Sequence, residues 1–196
     1  MNDYHHGDLK QALVDAGVKV LKEEGVKGFS VRKVAKRIGV SHTACYRHYR
    51  DKDTLLAAIA EQGFILLYEK IKLATDYVPV ESFAQIYKAT EAYLIFGIEH
   101  KEYLDVMFGI ISHEPHPRLA ESAGQAFQQL VQLIEACNEV GLLKEDSSVE
   151  LAFALWPMLH GLTLLIAEGH IRLIDDDPIK RMHASLNRLL KGIALD

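Results

Sequence analysis

The sequence predicts an all-α protein, with an N-terminal three-helix helix-turn-helix domain joined to a C-terminal helical bundle, about nine helices in all. Three observations predict it. Apolar residues recur at i, i+3, i+4 and i+7 through most of the chain, no segment alternates β-branched and polar residues as a half-buried strand would, and Gly-x-Gly phosphate loops are absent. With 196 residues and a 49% hydrophobic content, the chain can form one or two compact units with a substantial core.

The elements follow in order. A first helix spans about Asp8 to Glu24, with Leu9, Leu13, Ala16 and Val20 on one face, and Gly25 ends it as a left-handed cap. Ser30 caps a short second helix whose apolar positions are Val31, Val34, Ala35 and Ile38. Gly39 and Val40 make a turn, and Ser41 caps a third helix running through about Tyr49. Asp51 caps a fourth, carrying Leu55, Leu56, Ile59, Phe64 and Leu67 to about Leu73. A break at Asp76–Val80, with Pro79, precedes helices at about Glu81–His100, Lys101–Ser112 and Arg118–Val140. Two more follow at about Ser148–Glu168 and Ile179–Ile193. The last opens with Asp177 at the cap and Pro178 at the first helical position, where a missing N–H costs nothing. Its stripe is Met182, Leu186, Leu189 and Ile193.

Charge is unevenly distributed. The net charge is −5, yet Met1–Arg50 holds 10 basic and 5 acidic residues, a net of +5, and the remainder holds 12 and 22, a net of −10. A basic contact module on an acidic body is the implied arrangement. Cys45 and Cys137 cannot make a disulfide framework, and there is no C-x-x-C pair. The first residues carry neither a cationic lead nor an apolar core, so no signal peptide is expected. Pro157 and His160 interrupt the longest apolar stretch, Leu151–Ala167, which falls short of the ~20 residues of a membrane span. A soluble, cytoplasmic protein with no membrane partner is expected. The domain division is 1–50 for the helix-turn-helix head, with its characteristic region extending to about 65, and 51–196 for a body continuous with the fourth helix. No flexible linker separates them, so the two are expected to move as one piece.

The segment that carries chemistry is Ser30–Tyr49, SVRKVAKRIGVSHTACYRHY. Two helices joined by a tight turn need a small residue at their crossing, a turn residue tolerant of positive φ, and an apolar residue pointing back from the second helix. Ala35, Gly39 and Cys45 meet these needs. With Cys45 inward, His42, Thr43, Tyr46 and Arg47 project outward. Ser41 caps a helix end whose free N–H groups attract phosphate, and Lys52 is placed for another phosphate. Arg32, Lys33, Lys36 and Arg37 make the second helix strongly cationic. The alternative for such a run is a solvated charged face, but here it coincides with the helix-turn-helix in an otherwise acidic chain.

From Tyr4 to about Phe64 the sequence resembles the TetR/AcrR family of bacterial transcriptional regulators. YHHGDL, G-x-x-x-F-S-V-R-x-V-A-x-x-I-G-V-S and Y-R-H-Y-x-D-K-x-x-L-L carry the likeness, and W-x-x-x-H-G at Trp156, His160 and Gly161 is similar to a C-terminal subgroup of the family. The resemblance implies an Ω-shaped homodimer that places its recognition helices in successive major grooves of double-stranded DNA, with an inducer pocket in each body. It implies phosphate contacts from Ser41, Tyr46 and Lys52, with His48 and Ser30 as helpers, and base reading by His42, Thr43, Ala44 and Arg47. Arg32 joins these as a DNA-binding candidate. So does Tyr49, which stands where the family more often has Phe and whose ring is expected to pack in the core with its hydroxyl on the backbone.

The expected function is therefore a ligand-responsive DNA-binding regulator, a repressor released from a palindromic operator by a small molecule, without catalytic residues or cofactor. The alternative is an all-helical metal- or cofactor-binding protein or enzyme, but Gly-x-Ser-x-Gly, HExxH, paired Glu-x-x-His and P-loop signatures are all absent. In the body, the last two helices are the expected dimer contact, since the penultimate helix is apolar almost all round. Phe96, Met107, Phe108, Phe127, Trp156 and His160 are candidates for the ligand pocket; at helical spacing such residues also serve as plain core. His113, Glu114 and His116 form HEPH, but Pro115 and Pro117 forbid helical ligand geometry and no third ligand is apparent, so no metal site is expected. His5 and His6 are either a minor-groove arm or simply the start of the first helix.

Overall fold

The capping pattern of the sequence reappears in the structure, a computed structural model that describes residues 6–80, 82–109, 116–143, 148–171 and 177–191. Among these residues the elements are nine helices: α1 His6–Gly28, α2 Val31–Ile38, α3 His42–Tyr46, α4 Lys52–Thr75, α5 Ala84–Glu99, α6 Lys101–Met107, α7 Pro117–Glu139, α8 Ser148–Ala167 and α9 Pro178–Leu190. The Ser30 hydroxyl accepts from Lys33 N–H, Ser41 from Ala44 N–H, Asp51 from Thr54 N–H and Asp177 from Lys180 N–H. Each bond satisfies a donor that the first helical turn leaves without an intrahelical partner.

Several boundaries differ from expectation: α5 begins at Ala84 rather than Glu81, and α6 ends at Met107 rather than Ser112, Phe108 capping it. α1 does not stop at Gly25, which takes φ 65 and ψ 178, but kinks there and adds one more turn to Gly28. α3 ends at Tyr46 rather than Tyr49, although His48 and Tyr49 N–H both still bond the Cys45 carbonyl. The chain has to leave the helical path there to place Asp51 as the cap of α4. His5, His113, Glu114, Asp175, Asp176 and Ile193 lie outside the described residues.

The chain forms two compact units, Met1–Phe64 with His100–Ser122, and Ile65–Glu99 with Ala123–Asp196. In the first, α2 packs on α1 and α3 on α2, while α6 lies against α1. Leu13, Val20, Val34, Ala35, Cys45, Leu55 and Ile59 close its core. Gly63 faces the Met107 sulfur and the Tyr103 ring so closely that a Cβ would stand 2.7 Å from the sulfur. In the second unit α5 packs on α8 and α9, and α8 on α9. Ile86, Val131, Ile134, Cys137, Leu155 and Leu186 form its centre. Burial of these apolar side chains is what holds short helices that would be marginal alone.

Candidate nucleic-acid interface

The geometry of α2 and α3 is set by three residues. Ala35 is buried at the crossing, and Cys45 is fully buried with its thiol directed to the Ser41 carbonyl at 3.7 Å. Burial raises the Cys45 thiol pKa, keeping it protonated as a small apolar plug. Between them Gly39 takes φ 71, the left-handed conformation of a helix cap, and its N–H closes on the carbonyls of Ala35 and Lys36. The inward position of Cys45 turns Ser41, His42, Thr43, Tyr46 and Arg47 to the exposed face. His42 and Tyr46 meet edge to face at 4.6 Å, and Tyr46 remains 45% exposed. Ala44 and His48 are half-buried beside them.

Tyr49 is the buried member of this segment. It is 3% exposed and its hydroxyl donates to the Lys10 carbonyl at 3.3 Å. Burial, with the Glu61 carboxylate nearby, pushes its pKa up to about 12, so the phenol stays neutral and ties α1 to the end of the α3 turn. Tyr49 thus acts inside the head rather than at its surface.

The cations of α2 fall into two sets. Arg37 makes a fork to Glu23 of α1 at 2.6 and 2.5 Å, and Lys33 pairs with Glu24 of the same helix while also donating to the Gly28 carbonyl at 3.0 Å. The Arg37 hydrogen bonds hold the Glu23 carboxyl below its ordinary pKa. These two cations are neutralised and bind α2 to α1. Arg32 and Lys36, by contrast, are exposed, and neither has an ion pair among the described residues; the same holds for Arg47 on α3. Of the α2 and α3 cations, those without an ion pair among the described residues are therefore Arg32, Lys36 and Arg47, a division that a one-dimensional reading of R-K-V-A-K-R does not give.

Lys52 takes a place that spacing alone did not show. Its ammonium donates to the Val26 carbonyl at 3.0 Å and stands 6.0 Å from the centre of the Phe29 ring. Together with Lys33 on Gly28, it satisfies carbonyls that the kinked end of α1 would otherwise leave open. Two N–H bonds of the Lys52 ammonium remain available after this contact.

The second unit contains a small apolar cavity of about 30 Å³, partly open to solvent. Leu67 and Ile71 of α4, Ala89 and Tyr93 of α5, Leu130 of α7 and Trp156 of α8 are among its walls. The Tyr93 hydroxyl and His160 Nδ1 are 2.9 Å apart, and burial holds the His160 pKa below its ordinary value. Phe127 stacks on Trp156 at 5.1 Å, and Phe96 is buried in the same unit. Met107 and Phe108 are placed in the first unit instead, Met107 against Gly63 and Phe108 edge to face with Phe64 at 5.4 Å. Among the described residues no three His, Cys, Asp or Glu side chains converge as a metal site.

A short capped helix with an exposed, partly cationic face, held at a fixed crossing by a small residue and a left-handed glycine, defines a helix-turn-helix DNA-binding protein. Comparison with known proteins gives the family. Residues 13–59 match the model of bacterial regulatory proteins of the tetR family, and residues 86–190 match a tetracyclin repressor-like C-terminal domain. The chain belongs to the TetR family of DNA-binding transcriptional regulators. Over 191 residues it is 22% identical to the uncharacterized HTH-type transcriptional regulator YobS of Bacillus subtilis, covering 97% of this chain and 95% of that one. In the head, 49 residues are 45% identical to the class A tetracycline repressor from transposon 1721 of Escherichia coli, 25% of this chain and 23% of the repressor. A solved protein of unknown function from Rhodococcus sp. RHA1 has a TM-score of 0.84 at 28% identity, with complete coverage of both chains.

Proposed function

We propose that this regulator is a repressor that binds a palindromic operator as a homodimer and leaves it when a small molecule occupies the body. The observation that carries the DNA-contact assignment is the segregation of the α2 and α3 cations, with Arg32, Lys36 and Arg47 exposed and without an ion pair among the described residues. Arg32, Ser30, Ser41, Tyr46, His48 and Lys52 hold phosphates, with the exposed Lys36 adding a further phosphate contact; these supply salt-dependent affinity, and His42, Thr43, Ala44 and Arg47 meet base edges, which supply sequence choice. Two heads about one DNA turn apart, ~34–36 Å, select a site with twofold symmetry.

The dimer contact is assigned to α8 and α9. α8 has 20 residues with a mean hydropathy of 1.6, enough by length and composition alone to cross a membrane. Yet it packs on α5 and α9, and its His160 meets Tyr93. Its exposed Val149, Phe153 and Leu165 then suit a subunit contact better than lipid. A ligand that prefers a different spacing of the heads shifts the population away from DNA, and a decisive shift needs several kcal/mol of differential affinity. This work is done in the cytoplasm, on the cell's DNA, and no catalytic role is assigned to any residue.

Selection of bound sequences from random duplex DNA tests the proposal. Recovery of an inverted repeat supports a dimer reading two half-sites, and a single unrepeated motif or no enrichment refutes it.

A further inference from the structure

The turn of α1 beyond the Gly25 kink carries one cation that the DNA contacts assigned above leave unused. Lys27 is exposed and makes no ion pair among the described residues. It stands between two peptides whose carbonyls are both taken by lysines from other helices. Lys52 of α4 donates to the Val26 carbonyl and Lys33 of α2 to the Gly28 carbonyl, each at 3.0 Å. The backbone is thereby pinned on either side of Lys27, while Gly25, at φ 65, takes the left-handed conformation that admits this extra turn.

The nearby acids are already engaged. Glu23 is forked by Arg37 and Glu24 pairs with Lys33, so the two carboxylates of α1 closest in sequence to Lys27 are held by cations of α2. No acidic residue lies between Lys27 and Arg32, and the first turn of α2 has none. Ser30 and Arg32, both assigned to phosphates above, therefore follow Lys27 on an unbroken basic stretch. A lysine meets a phosphate as a point charge on a flexible stem. A backbone that is fixed beforehand reduces what must be ordered when that stem engages.

We propose that Lys27 is a further phosphate contact of the head, delivered to the DNA backbone by the kinked end of α1 and held in place by Lys33 and Lys52. The inference rests on DNA binding by the head and not on the repressor reading. It extends the contact surface from the two helices of the helix-turn-helix to the turn that precedes them.

The full-length protein and its variants are titrated on a labelled non-specific duplex by fluorescence anisotropy, from roughly 50 to 200 mM salt. Each phosphate contact contributes about −0.9 to the slope of log affinity against log salt, so Lys27→Gln is expected to flatten the slope of a dimer by about 1.8. Across that range the wild type then loses about 12-fold more affinity than the variant. Lys27→Arg keeps the charge and is expected to keep the slope. Lys19→Gln removes an exposed α1 lysine that also has no ion pair among the described residues, two turns earlier, and is expected to leave the slope unaltered. Lys27 makes no side-chain contact among the described residues that the fold would miss, so an unchanged thermal midpoint is expected for all three variants. An unaltered slope in Lys27→Gln overturns the contact. Equal flattening by Lys19→Gln also overturns it, because overall charge would then be the cause, and so does flattening by Lys27→Arg. A slope flattened by Lys36→Gln but not by Lys27→Gln removes this contact and leaves those assigned above standing. On an operator recovered by selection, ethylation interference is expected to lose one phosphate per half-site in Lys27→Gln, and a pattern identical to that of the wild type refutes the proposal.

Discussion

The division of the α2 cations can be tested through the salt dependence of DNA binding. Replacing Lys36 with Gln removes an exposed ammonium that has no acidic partner among the described residues. Replacing Glu23 and Arg37 together with Gln removes a guanidinium already forked to a carboxylate, and leaves the net charge unchanged. Each phosphate contact contributes about −0.9 to the slope of log affinity against log salt. A dimer losing one contact per head therefore has a slope shallower by about 1.8. Over the fourfold range from roughly 50 to 200 mM salt, the wild type should lose about 12-fold more affinity than Lys36→Gln.

The Glu23→Gln/Arg37→Gln double variant should keep the wild-type slope. Fluorescence anisotropy on a labelled non-specific duplex measures this without knowledge of the operator. Circular dichroism at each salt concentration confirms that the head stays folded. If the double variant flattens the slope as much as Lys36→Gln, or Lys36→Gln leaves it unaltered, the division of charge between α1 contact and DNA contact is wrong.

Further outcomes follow from other contacts. Tyr46→Ala should weaken specific and non-specific DNA binding alike in gel-shift titrations, whereas Arg47→Ala should relax sequence choice, by about 1–3 kcal/mol for a bidentate guanine contact. Lys52→Met removes the donor on the Val26 carbonyl and should cost about 1–3 kcal/mol, read as a Tm lower by several degrees. Phe153→Asp, at an α8 side chain that is 59% exposed, should convert the dimer to a monomer in sedimentation velocity without lowering the helical content. Burial depresses the His160 pKa in the folded state, so the unfolded chain binds the proton more readily. Stability should then fall as pH drops from the unfolded value of about 6.5 through the folded pKa, and His160→Gln should flatten that limb in denaturant titrations.

What the sequence discloses and what it hides divide by distance along the chain. The caps at Ser30, Ser41, Asp51 and Asp177 each bond an N–H three residues on, so the signal is contained in four adjacent letters. Ala35, Gly39 and Cys45 are legible for the same reason, since steric demands at a helix crossing recur at fixed short offsets. The Glu23–Arg37 fork spans 14 residues and the Lys52–Val26 bond 26. Nothing in the pattern R-K-V-A-K-R distinguishes a cation facing α1 from one facing solvent until the crossing angle of the two helices is known. The cavity draws on four helices, and its aromatic candidates could not be sorted by periodicity. Met107 and Phe108 have the same helical spacing as true cavity neighbours, yet they belong to the first unit.

The same reasoning explains why the head needs so few residues to work. A short α3 cannot be stable by its own hydrogen bonds, because nucleating a helix fixes several residues for each bond gained. Here the cost is offset from outside the helix, by Cys45 in the core, by Ser41 at the cap, and by Tyr49 tied to Lys10 just beyond its end. With these three inward ties, Thr43, Tyr46 and Arg47 are left exposed and need do no packing of their own. Substitutions on that outward face should therefore change DNA affinity or sequence choice at little cost in stability, whereas changes at Cys45, Gly39 or Tyr49 should unfold the head before any effect on DNA is seen. That separation lets sequence choice on the outward face vary while the three inward ties keep the scaffold constant.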